Sequence, residues 1–368
     1  MSFKSLYNFL KRETVLCASA LLAVVSMFFV PPSAEYISYI DLRTISLLFC
    51  LMGVMAGLRE NGIFSALANA LLSRTKNFRN ISLVLILLCF FTSMLITNDV
   101  ALITFVPFAL EVVKKSEKPE FLIPIVVLQT IGANLGSMLT PVGNPQNLYL
   151  YSLSGMTFIE FIISLLPFTA ISLVLLILAN MTVKSEKIEY HTEKIPFSIK
   201  TTVFYIILFA VCMLTVANIL EYWVSLIIVT LAILIKNRKL ILKIDYSLLL
   251  TFIFFFVFIG NMSNVSAFRN AVSYLLNGRE ILISVLSSQV ISNVPAAVLL
   301  SGFTDNIKDL IIGTNIGGLG TLIASMASLI SYKIFAAEMP NQKKKYFWQF
   351  TLWNVVFLII LSIFIIIF

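Results

Sequence analysis

Charged residues are scarce in this sequence. Only 12% of its 368 residues are Asp, Glu, Lys or Arg, whereas 59% are hydrophobic, and the mean hydropathy is +0.98. A soluble domain has about 25% charged and roughly 45–50% apolar residues. The composition therefore excludes a soluble globular protein. Since long apolar stretches cross membranes as helices, it predicts an all-α polytopic membrane protein.

Histidine and cysteine, which form many metal and nucleophile sites, are also scarce. The single histidine, His191, lies in the charged loop 184–200, and the four cysteines show no CxxC spacing. A Ser-His-Asp triad or an imidazole metal cluster cannot be assembled from one exposed histidine. The cysteines lie inside apolar runs and are expected to be small packing residues. We therefore expect neither an enzyme nor a resident cofactor.

Basic residues outnumber acidic ones, 26 to 18, which gives a net charge of +8. In a soluble protein this balance would suggest nucleic acid. Here the basic residues lie in short loops between apolar segments, where the preference of cytoplasmic loops for Lys and Arg explains them. We expect no nucleic-acid partner.

Nine apolar segments are candidates to cross about 30 Å of hydrocarbon, which takes about 20 helical residues. They are 15–30, 42–58, 121–151, 158–181, 201–217, 222–235, 247–260, 310–332 and 347–368. Two further segments, 80–113 and 280–304, do not fit a simple crossing. The first would form a straight helix of about 51 Å, and the second has polar residues and a proline at its centre.

The distribution of Lys and Arg favours a hairpin for both awkward segments. If each returns to the side it entered, 22 of the 26 basic residues lie on the side of the N-terminus. The other side keeps Arg43, Arg269, Arg279 and Lys308. Cytoplasmic loops are enriched in Lys and Arg. We therefore predict a multi-pass cell-membrane protein with two re-entrant hairpins, a cytoplasmic N-terminus and an extracytoplasmic C-terminus.

The sequence contains an internal repeat. Gly132, Asn134, Gly136 and Thr140 recur 181 residues later as Gly313, Asn315, Gly317 and Thr321, and Thr97-Asn98 recurs 195 residues later as Ser292-Asn293. Each copy consists of a crossing, an amphipathic helix, a hairpin, a broken crossing and a final crossing. Because each copy thus crosses the membrane three times, an odd number, the two copies must insert in opposite orientations. The predicted units are an extra N-terminal span (1–40), the first inverted repeat (41–181), a cytoplasmic loop with two linking spans (182–244) and the second inverted repeat (245–368).

The hairpin tips carry polar residues where the chain must reverse. They are Thr97, Asn98 and Asp99 in the first hairpin and Ser292, Asn293 and Pro295 in the second. Single small or polar residues often serve only helix packing in membranes, but this set recurs at fixed spacing. A returning arm that begins at Pro295 would aim free N–H groups at the membrane centre, which favours an anion.

The adjacent crossings are interrupted. Segment 136–147 contains two prolines and two glycines, which a regular helix does not accommodate. Backbone carbonyls freed there, with Asn and Thr oxygens, are hard ligands that suit Na⁺. The second copy, 313–325, has four glycines and no proline, so we expect it to be less disrupted.

Asp99 is the only carboxylate in the middle of an apolar segment. A charge at the bilayer centre costs at least about 2.5 kcal/mol on the insertion scale, so such a residue is a candidate coupling-ion or proton site. Asp is also a favoured helix N-cap, and the two roles are compatible. The second copy has Val294 at this position, so the predicted site is asymmetric.

These motifs resemble those of the ion transporter superfamily, which includes citrate carriers, divalent-anion sodium symporters, arsenite permeases and certain sodium/proton antiporters. The similarity rests on TNDVA at 97–101, GANLG at 132–136 and TPVGNPQN at 140–147, and extends from about residue 41 to residue 368. The Asn98-Asp99 pair is most similar to the arsenite permeases. Ser292-Asn293 is similar to the Ser-Asn-Thr tips of the dicarboxylate symporters, although Asp99 and Val294 stand where those proteins carry threonine.

The resemblance implies a homodimer in which a transport domain with both hairpins moves as an elevator against a fixed scaffold. It also implies sodium ligands at Asn98 and Gly143 in one copy and Asn293 in the other, to which the isolated carboxylate of Asp99 is added.

The leading hypothesis is a secondary transporter of a small anion, either a carboxylate such as citrate or a dicarboxylate, or an oxyanion, coupled to Na⁺ or H⁺. The alternatives are a sodium/proton antiporter centred on Asp99 and a channel, because hairpins also line pores. The expected partners are the solute, membrane lipid and a second copy of the chain. The candidate binding residues are Thr97, Asn98, Asp99, Asn134, Gly136, Thr140, Pro141, Gly143, Asn144, Pro145, Ser292, Asn293, Pro295, Asn315, Gly317 and Thr321.

Overall fold

The computed structural model describes residues 13–187 and 195–367. Within those ranges the chain forms α-helices joined by turns and short 3₁₀ helices, with no strand and one isolated bridge between Asn77 and Lys187. Residues 1–12, 188–194 and 368 lie outside the description, and with them lie His191 and the predicted basic N-terminus. The helical architecture confirms the fold class predicted from composition.

Eighteen helices make up the described part of the chain. They are α1 (Thr14–Ser26), α2 (Tyr36–Tyr39), α3 (Leu42–Glu60), α4 (Ile63–Leu72), α5 (Phe78–Ile96), α6 (Asn98–Ser116), α7 (Leu122–Gly136), α8 (Pro145–Ser154), α9 (Phe158–Asn180), α10 (Ile199–Val216), α11 (Tyr222–Asn237), α12 (Tyr246–Ser263), α13 (Ser266–Leu276), α14 (Glu280–Ile291), α15 (Asn293–Ser301), α16 (Ile307–Ile316), α17 (Met326–Glu338) and α18 (Lys343–Ile367). A long helix followed by a short one opens both predicted repeats, as α3–α4 and α12–α13, and a long helix closes each, α9 and α18. Asp41 and Asp245 cap α3 and α12 in the same way. The side chain of each accepts a hydrogen bond from the backbone amide three residues later, that of Thr44 or Leu248. The boundaries of the predicted repeats stay a prediction.

Seven described helices are long and apolar enough to cross a membrane, which confirms a polytopic membrane protein. They are α3, α5, α9, α10 and α12, with α7 and α18 extended by their neighbouring 3₁₀ turns. Helix α5 is long enough to cross alone, although the sequence predicts only a hairpin arm there. Helix α1 has 13 residues, about 20 Å, because the helix ends in turns ahead of Pro31 and Pro32. The apolar segment predicted as an extra span, residues 15–30, therefore extends beyond the end of helix α1.

Both predicted hairpins reverse direction, and their ends meet. At the base of α5–α6, the rings of Phe78 and Phe121 stack with centroids 4.1 Å apart. At the base of α14–α15, the Thr304 hydroxyl donates to Glu280 Oε1 at 3.0 Å. The arms of the first hairpin have 19 residues each, whereas those of the second have 12 and 9. Both hairpins thus consist of two helices joined at a tip, but the arms of the first are longer than those of the second.

The basic loops gather on one face of the molecule. Ion pairs join Lys118 to Glu186, Lys114 to Glu338 at 2.6 Å, and Lys243 to Glu60 at 2.5 Å. Asn61 also donates to the Ser198 carbonyl at 3.1 Å, which brings the loop after α3 to the loop before α10. The five described loops that the charge count places on one side are therefore neighbours in space; the N-terminal segment in that count lies outside the described residues. We call this surface the basic face.

The helices form two groups. Helix α1 packs on α12 through Asn261, which donates to Ser26 at 2.9 Å, and α3 packs on α10 and α11. The second group consists of the hairpins and the interrupted helices with α9 and α18 around them. The groups meet where α3 approaches α8 and where α12 approaches α15. The candidate residues lie in the second group.

Equivalent helices pack through equivalent residues. A Cβ on Gly132 or Gly313 would lie 3.2 or 2.8 Å from the carbonyl oxygens of Ile86 and Ile281, and a Cβ on Gly136 or Gly317 would lie 2.7 Å from the hydroxyls of Ser93 and Ser288. Thr140 donates to the Met94 carbonyl, and Thr321 donates to the Gln289 carbonyl. Each first-copy contact has its second-copy counterpart at offsets of 181 and 195. The repeat seen in the sequence is therefore a repeat of contacts.

Candidate functional site

The two hairpin tips share an unusual backbone. Thr97 has φ 67° and ψ 150°, and Ser292 has φ 75° and ψ 155°. These values lie in a region that side-chain-bearing residues rarely occupy, at a cost of about 1–3 kcal/mol each, and strain of this kind clusters at functional sites. In both tips the next asparagine folds back: Asn98 Oδ1 accepts from the Asp99 amide at 2.9 Å, and Asn293 Oδ1 accepts from the Val294 amide at 3.0 Å.

Two interrupted helices pass beside the tips. The first interruption runs from the end of α7 through 3₁₀ turns at Ser137–Leu139 and Pro141–Gly143 to Pro145, the first residue of α8. The second spans residues 317–325 between α16 and α17 and contains neither a proline nor a 3₁₀ helix. The expectation that the second copy is less disrupted is wrong, because glycines alone release the helix there, with Gly320 at φ +101°.

Different side chains satisfy the two interrupted backbones. Asn147 Nδ2 lies 3.3 Å from each of the carbonyls of Ser137, Met138 and Thr140. In the second copy Gln289 takes this role: its Nε2 donates to the carbonyls of residues 317 and 319, and its Oε1 accepts from the Thr321 amide, each at 2.9 Å. Because the first-copy counterpart of Gln289 is Met94, self-comparison gives no signal for it.

A chain of hydrogen bonds connects the two tips through Asn134. Asn98 donates to Asn134 Oδ1 at 3.0 Å, and Ser325 donates to the same oxygen at 3.0 Å. Next to Ser325, the Ala324 carbonyl accepts from the Asn293 amide at 2.9 Å. All four side chains in this chain are at least 95% buried. Since bonded networks in low dielectric strengthen one another, the tips form one polar unit across the two copies.

A mirrored pair of contacts flanks this unit. Asn134 donates to Ser328 at 3.2 Å, and its counterpart Asn315 donates to Asn147 at 2.6 Å. Ser328 is the counterpart of Asn147 at the offset of 181. Sequence reasoning identified both donors, whereas both acceptors lie outside the predicted set. The constant offset between the acceptors was the signal that could have found them.

The predicted glycines act by close packing. A Cβ on Gly136 would lie 2.0 Å from the Phe90 carbonyl oxygen, and one on Gly143 would lie 2.1 Å from the Ser137 carbonyl oxygen. Gly317 packs in the same way against Ser288. These positions exclude any side chain: Gly136 and Gly317 allow the interrupted helices to pack against the hairpins, and Gly143 allows the first interruption to fold back on Ser137.

The predicted prolines lie at or near helix starts, and the predicted threonines bond the interrupted helices to the hairpins. Pro141 and Pro145 each begin a helical turn, as expected. Pro295 is the third residue of α15, not the first, because the helix already begins at Asn293. Thr140 is buried, but Thr321 is exposed, so the equivalent threonine bonds of the two copies differ in their exposure to solvent.

A cavity of about 290 Å³ contains Asp99. It is bounded by Thr97 and Asn144 of the site and by one face of α3 from Leu48 to Arg59, about 17 Å of helix. It is also lined by residues of the α11–α12 connection and the start of α12, namely Lys243, Asp245 and Leu248. Arg59 and Lys243 belong to the basic face. The cavity therefore connects Asp99 with that face.

The Asp99 carboxylate has no hydrogen-bond donor among residues 13–187 and 195–367, although the side chain is only partly exposed. Two carboxylates line the cavity, and Asp245 is the second, with its Oδ1 occupied by the Leu248 amide at 2.9 Å. Asp99 is thus not a side-chain cap of α6. The cap-only interpretation of this residue fails, and its carboxylate is available to a ligand.

Several buried polar atoms of the interrupted helices also lack partners in the described chain. They are Asn144 Oδ1, Asn315 Oδ1 and both polar atoms of the Gln146 side chain. Unsatisfied buried groups are rare in native proteins and often mark an ion or water position. Gln146 is a residue that the predicted set omits, although it lies inside the TPVGNPQN motif.

The amides at the helix starts distinguish the two copies. At the start of α6, the amides of Asn98 and Val100 have no acceptor in the described chain, and at the start of α8 the same holds for Gln146 and Asn147. At the start of α15 each early amide is occupied, and Pro295 has none. The helix ends of the first copy therefore carry the donors that an anion needs.

The donor set offers no transition-metal centre. The part of the chain that the structure describes contains no group of three or more His, Cys, Asp or Glu residues able to hold a metal ion, and its four cysteines are free thiols. The oxygen ligands around Asp99 suit a hard cation or a proton instead.

Comparison with known proteins agrees with this architecture. Residues 8–308 match the family model described as Citrate transporter. The chain is 36% identical over 82% of its length to an uncharacterized transporter of Methanocaldococcus jannaschii, covering 83% of that protein, and 30% identical over 89% of its length to the inner membrane protein YbiR of Escherichia coli, covering 88% of it. It is also 34% identical over 41% of its length to the rice silicon efflux transporter LSI3, covering 31% of that protein. The family and the named transporters support membrane transport and not enzymatic activity. The chain belongs to the citrate transporter family.

Proposed function

We propose that the protein is a secondary transporter that carries a small anion, a carboxylate or an oxyanion, and couples its movement to Na⁺ or H⁺. The observation that carries this proposal is the Asp99 cavity, which the starts of α6 and α8 line and where Val100, whose amide is free, lies beside an unpaired carboxylate. Amide donors suit an anion, and carboxylate and amide oxygens suit a cation. One cavity therefore holds the chemistry for both.

Helix starts and basic side chains at the cavity support an anionic solute. Helices α6 and α8 begin at its wall, and each helix start carries about half a positive charge. Arg59 and Lys243 line the path to the basic face and would attract an anion from that side. The family description names citrate and the rice relative's name silicon, so we keep the substrate class at a small oxygen-rich anion.

The coupling ion would bind at Asp99. Asn144 Oδ1 lies at the same cavity without a partner, and the carbonyl of Gly143 is the adjacent backbone oxygen. At Asn98, another predicted sodium ligand, Oδ1 already accepts one amide bond and keeps one lone pair. At Asn293, Oδ1 accepts both the Val294 amide at 3.0 Å and the Ser292 hydroxyl at 3.4 Å. This asymmetry favours one cation or proton at the first tip.

The two helix groups support an elevator mechanism, and the sequence resemblance adds the expectation of a homodimer. The cavity lies along their boundary, with α3 and α12 on one wall and α6 and α8 on the other. Sliding the hairpin group along α3 would carry the polar unit of the tips between the two sides of the cell membrane. Both hairpins would be re-entrant, the first from the cytoplasmic basic face and the second from outside.

Cysteine labelling tests this orientation. In a variant that lacks the four native cysteines, Lys308→Cys should react with a membrane-impermeant maleimide on intact cells. Glu120→Cys, an exposed residue at the base of the first hairpin, should react only after permeabilisation. The two positions serve as controls for each other, and labelling of both from the same side would contradict the re-entrant arrangement.

Transport in liposomes tests the function. A thermal-shift screen of purified protein against citrate, succinate, other small anions, Na⁺ and Li⁺ should reveal a stabilising solute. Uptake of that solute should rise with an inward Na⁺ or proton gradient and stop when ionophores remove the gradient. Flux that is indifferent to both gradients would refute the proposal, and single-channel currents would indicate a channel.

A sodium/proton antiporter is the second candidate. It is favoured by the absence of any basic partner for Asp99 in the described chain and by the presence of Asp245 in the same cavity. An antiporter would exchange Na⁺ for protons in liposomes without any added anion. A symporter would show that exchange only when its anionic solute is present.

A further inference from the structure

A second cavity, of about 690 Å³, opens at the base of the second hairpin. Its walls include Asn277 and Glu280 on one side of the hairpin and Thr304 and Asp305 on the other. It lies at the start of α14 and the end of α15, away from the Asp99 cavity, with which it shares no lining residue.

Glu280 is the unusual residue in this cavity. Its side chain is 94% buried, and its Oε1 accepts the Thr304 hydroxyl at 3.0 Å. Its Oε2 is fully buried and has no hydrogen-bond partner in the described chain, nor is any Lys or Arg there within ion-pair distance. A buried carboxylate without a counter-charge is strongly unfavourable. The free oxygen therefore calls for a positive ligand.

We propose that this cavity is a binding site for a divalent cation of the calcium type. Glu280 lines the cavity and would turn its buried, unpaired oxygen into it on binding, and Asp305, the residue after Thr304, supplies a second carboxylate. The Asn277 side chain is a further oxygen donor in the wall. Ca²⁺ accepts six to eight oxygen ligands in flexible geometry, including water, whereas Mg²⁺ demands a tighter octahedron. A roomy cavity with two carboxylates fits Ca²⁺.

The site joins the two ends of one hairpin. Glu280 is the first residue of α14, and Asp305 lies four residues beyond the last residue of α15. A bound cation would tie these ends together and reinforce the single side-chain bond between Glu280 and Thr304. The hairpin that carries Ser292 and Asn293 would then be stabilised from its base, and cation occupancy would limit its opening.

Calcium binding to the purified, chelator-treated full-length protein tests this proposal. Titration calorimetry should show one site per chain with a Kd of about 0.1–1 mM, the range of weak oxygen-ligand sites. Calcium should also raise the unfolding temperature, since it binds only the folded state. Glu280→Gln should remove both effects, and Asp305→Asn should weaken binding roughly tenfold because the site loses one of its charges.

Glu120→Gln is the matched control. Glu120 is an exposed carboxylate at the base of the first hairpin, and its variant should bind calcium like the wild type. Asp305 is exposed, so Asp305→Asn should fold normally even if Glu280→Gln does not. Absence of calcium binding to the wild type, equal binding by Glu280→Gln or unchanged binding by Asp305→Asn would each overturn the proposal. Stabilisation by acid alone, without a calcium effect, would show that Glu280 binds a proton instead.

Discussion

Replacing Asp99 with asparagine should abolish gradient-driven accumulation of the solute. The carboxylate faces the cavity without a hydrogen-bond donor in the described chain, so the nearly isosteric amide disturbs no existing contact. It does remove the negative charge on which the cation or proton depends. Loss of a charged contact costs up to about 3 kcal/mol, which corresponds to roughly a hundredfold loss in affinity. The measurement is the accumulation ratio in liposomes under a Na⁺ or proton gradient.

Asp309→Asn is the matched control for that experiment. Asp309 lies in the first turn of α16, where its Oδ2 accepts from Asn306 at 2.7 Å, and it does not line the cavity. Its variant should accumulate solute like the wild type. If Asp99→Asn still responds to the gradient while remaining folded by thermal shift, Asp99 is not the coupling site, and the second-copy tip becomes the alternative location.

The repeat is the part of the fold that sequence reasoning predicts best. Both copies use one packing arrangement and place equivalent small residues against equivalent neighbours. The spacing between these small residues is therefore the same in both copies, even where the other residues differ. Gly132 and Gly313 show this, as do Thr140 and Thr321, whose acceptors are also related by a constant offset. The charge count groups loops that are neighbours on one face, whereas the orientation it predicts stays a prediction.

Helix lengths are predicted less well. Apolar segments indicate where the chain can cross the hydrocarbon layer, but the residue at which a helix ends depends on local turns of the backbone. The first hairpin shows the limit: each arm has 19 residues, and α5 alone is as long as a crossing. The packing of α5 on α6 and the stacked rings of Phe78 and Phe121 at the base show that the chain returns. Such long-range contacts are not encoded in local hydropathy.

Site residues escape sequence reasoning when their role depends on tertiary contacts. Gln289 stabilises the second interruption, yet its first-copy counterpart is a methionine. Glu280 follows a loop and resembles an ordinary surface charge, and only the folded arrangement buries it. Asp99 is the opposite case, since an isolated carboxylate in an apolar segment is costly enough to be conspicuous in the sequence alone.

Replacing Gly136 with alanine should destabilise the protein more than the same substitution at Gly132, the other glycine of α7. The new Cβ would lie 2.0 Å from the Phe90 carbonyl oxygen, a backbone atom that cannot rotate away, so α7 would have to move off α5. Close helix approach at small residues drives association in membranes, and forced overpacking costs about 3 kcal/mol or more at such a contact. Size-exclusion profiles of heated, detergent-solubilised protein would show a large fall in the temperature of aggregation.

A graded series makes this prediction specific. At Gly132, one turn earlier on the same helix, the nearest atom to an added Cβ is the Ile86 carbonyl oxygen at 3.2 Å, so Gly132→Ala should cost much less. Its counterpart Gly313, at 2.8 Å, should fall between the two. Stability should therefore decrease in the order Gly132→Ala, Gly313→Ala, Gly136→Ala. Wild-type stability of Gly136→Ala would mean that α7 does not contact the first hairpin this closely, and the polar unit built on Asn134 would lose its support.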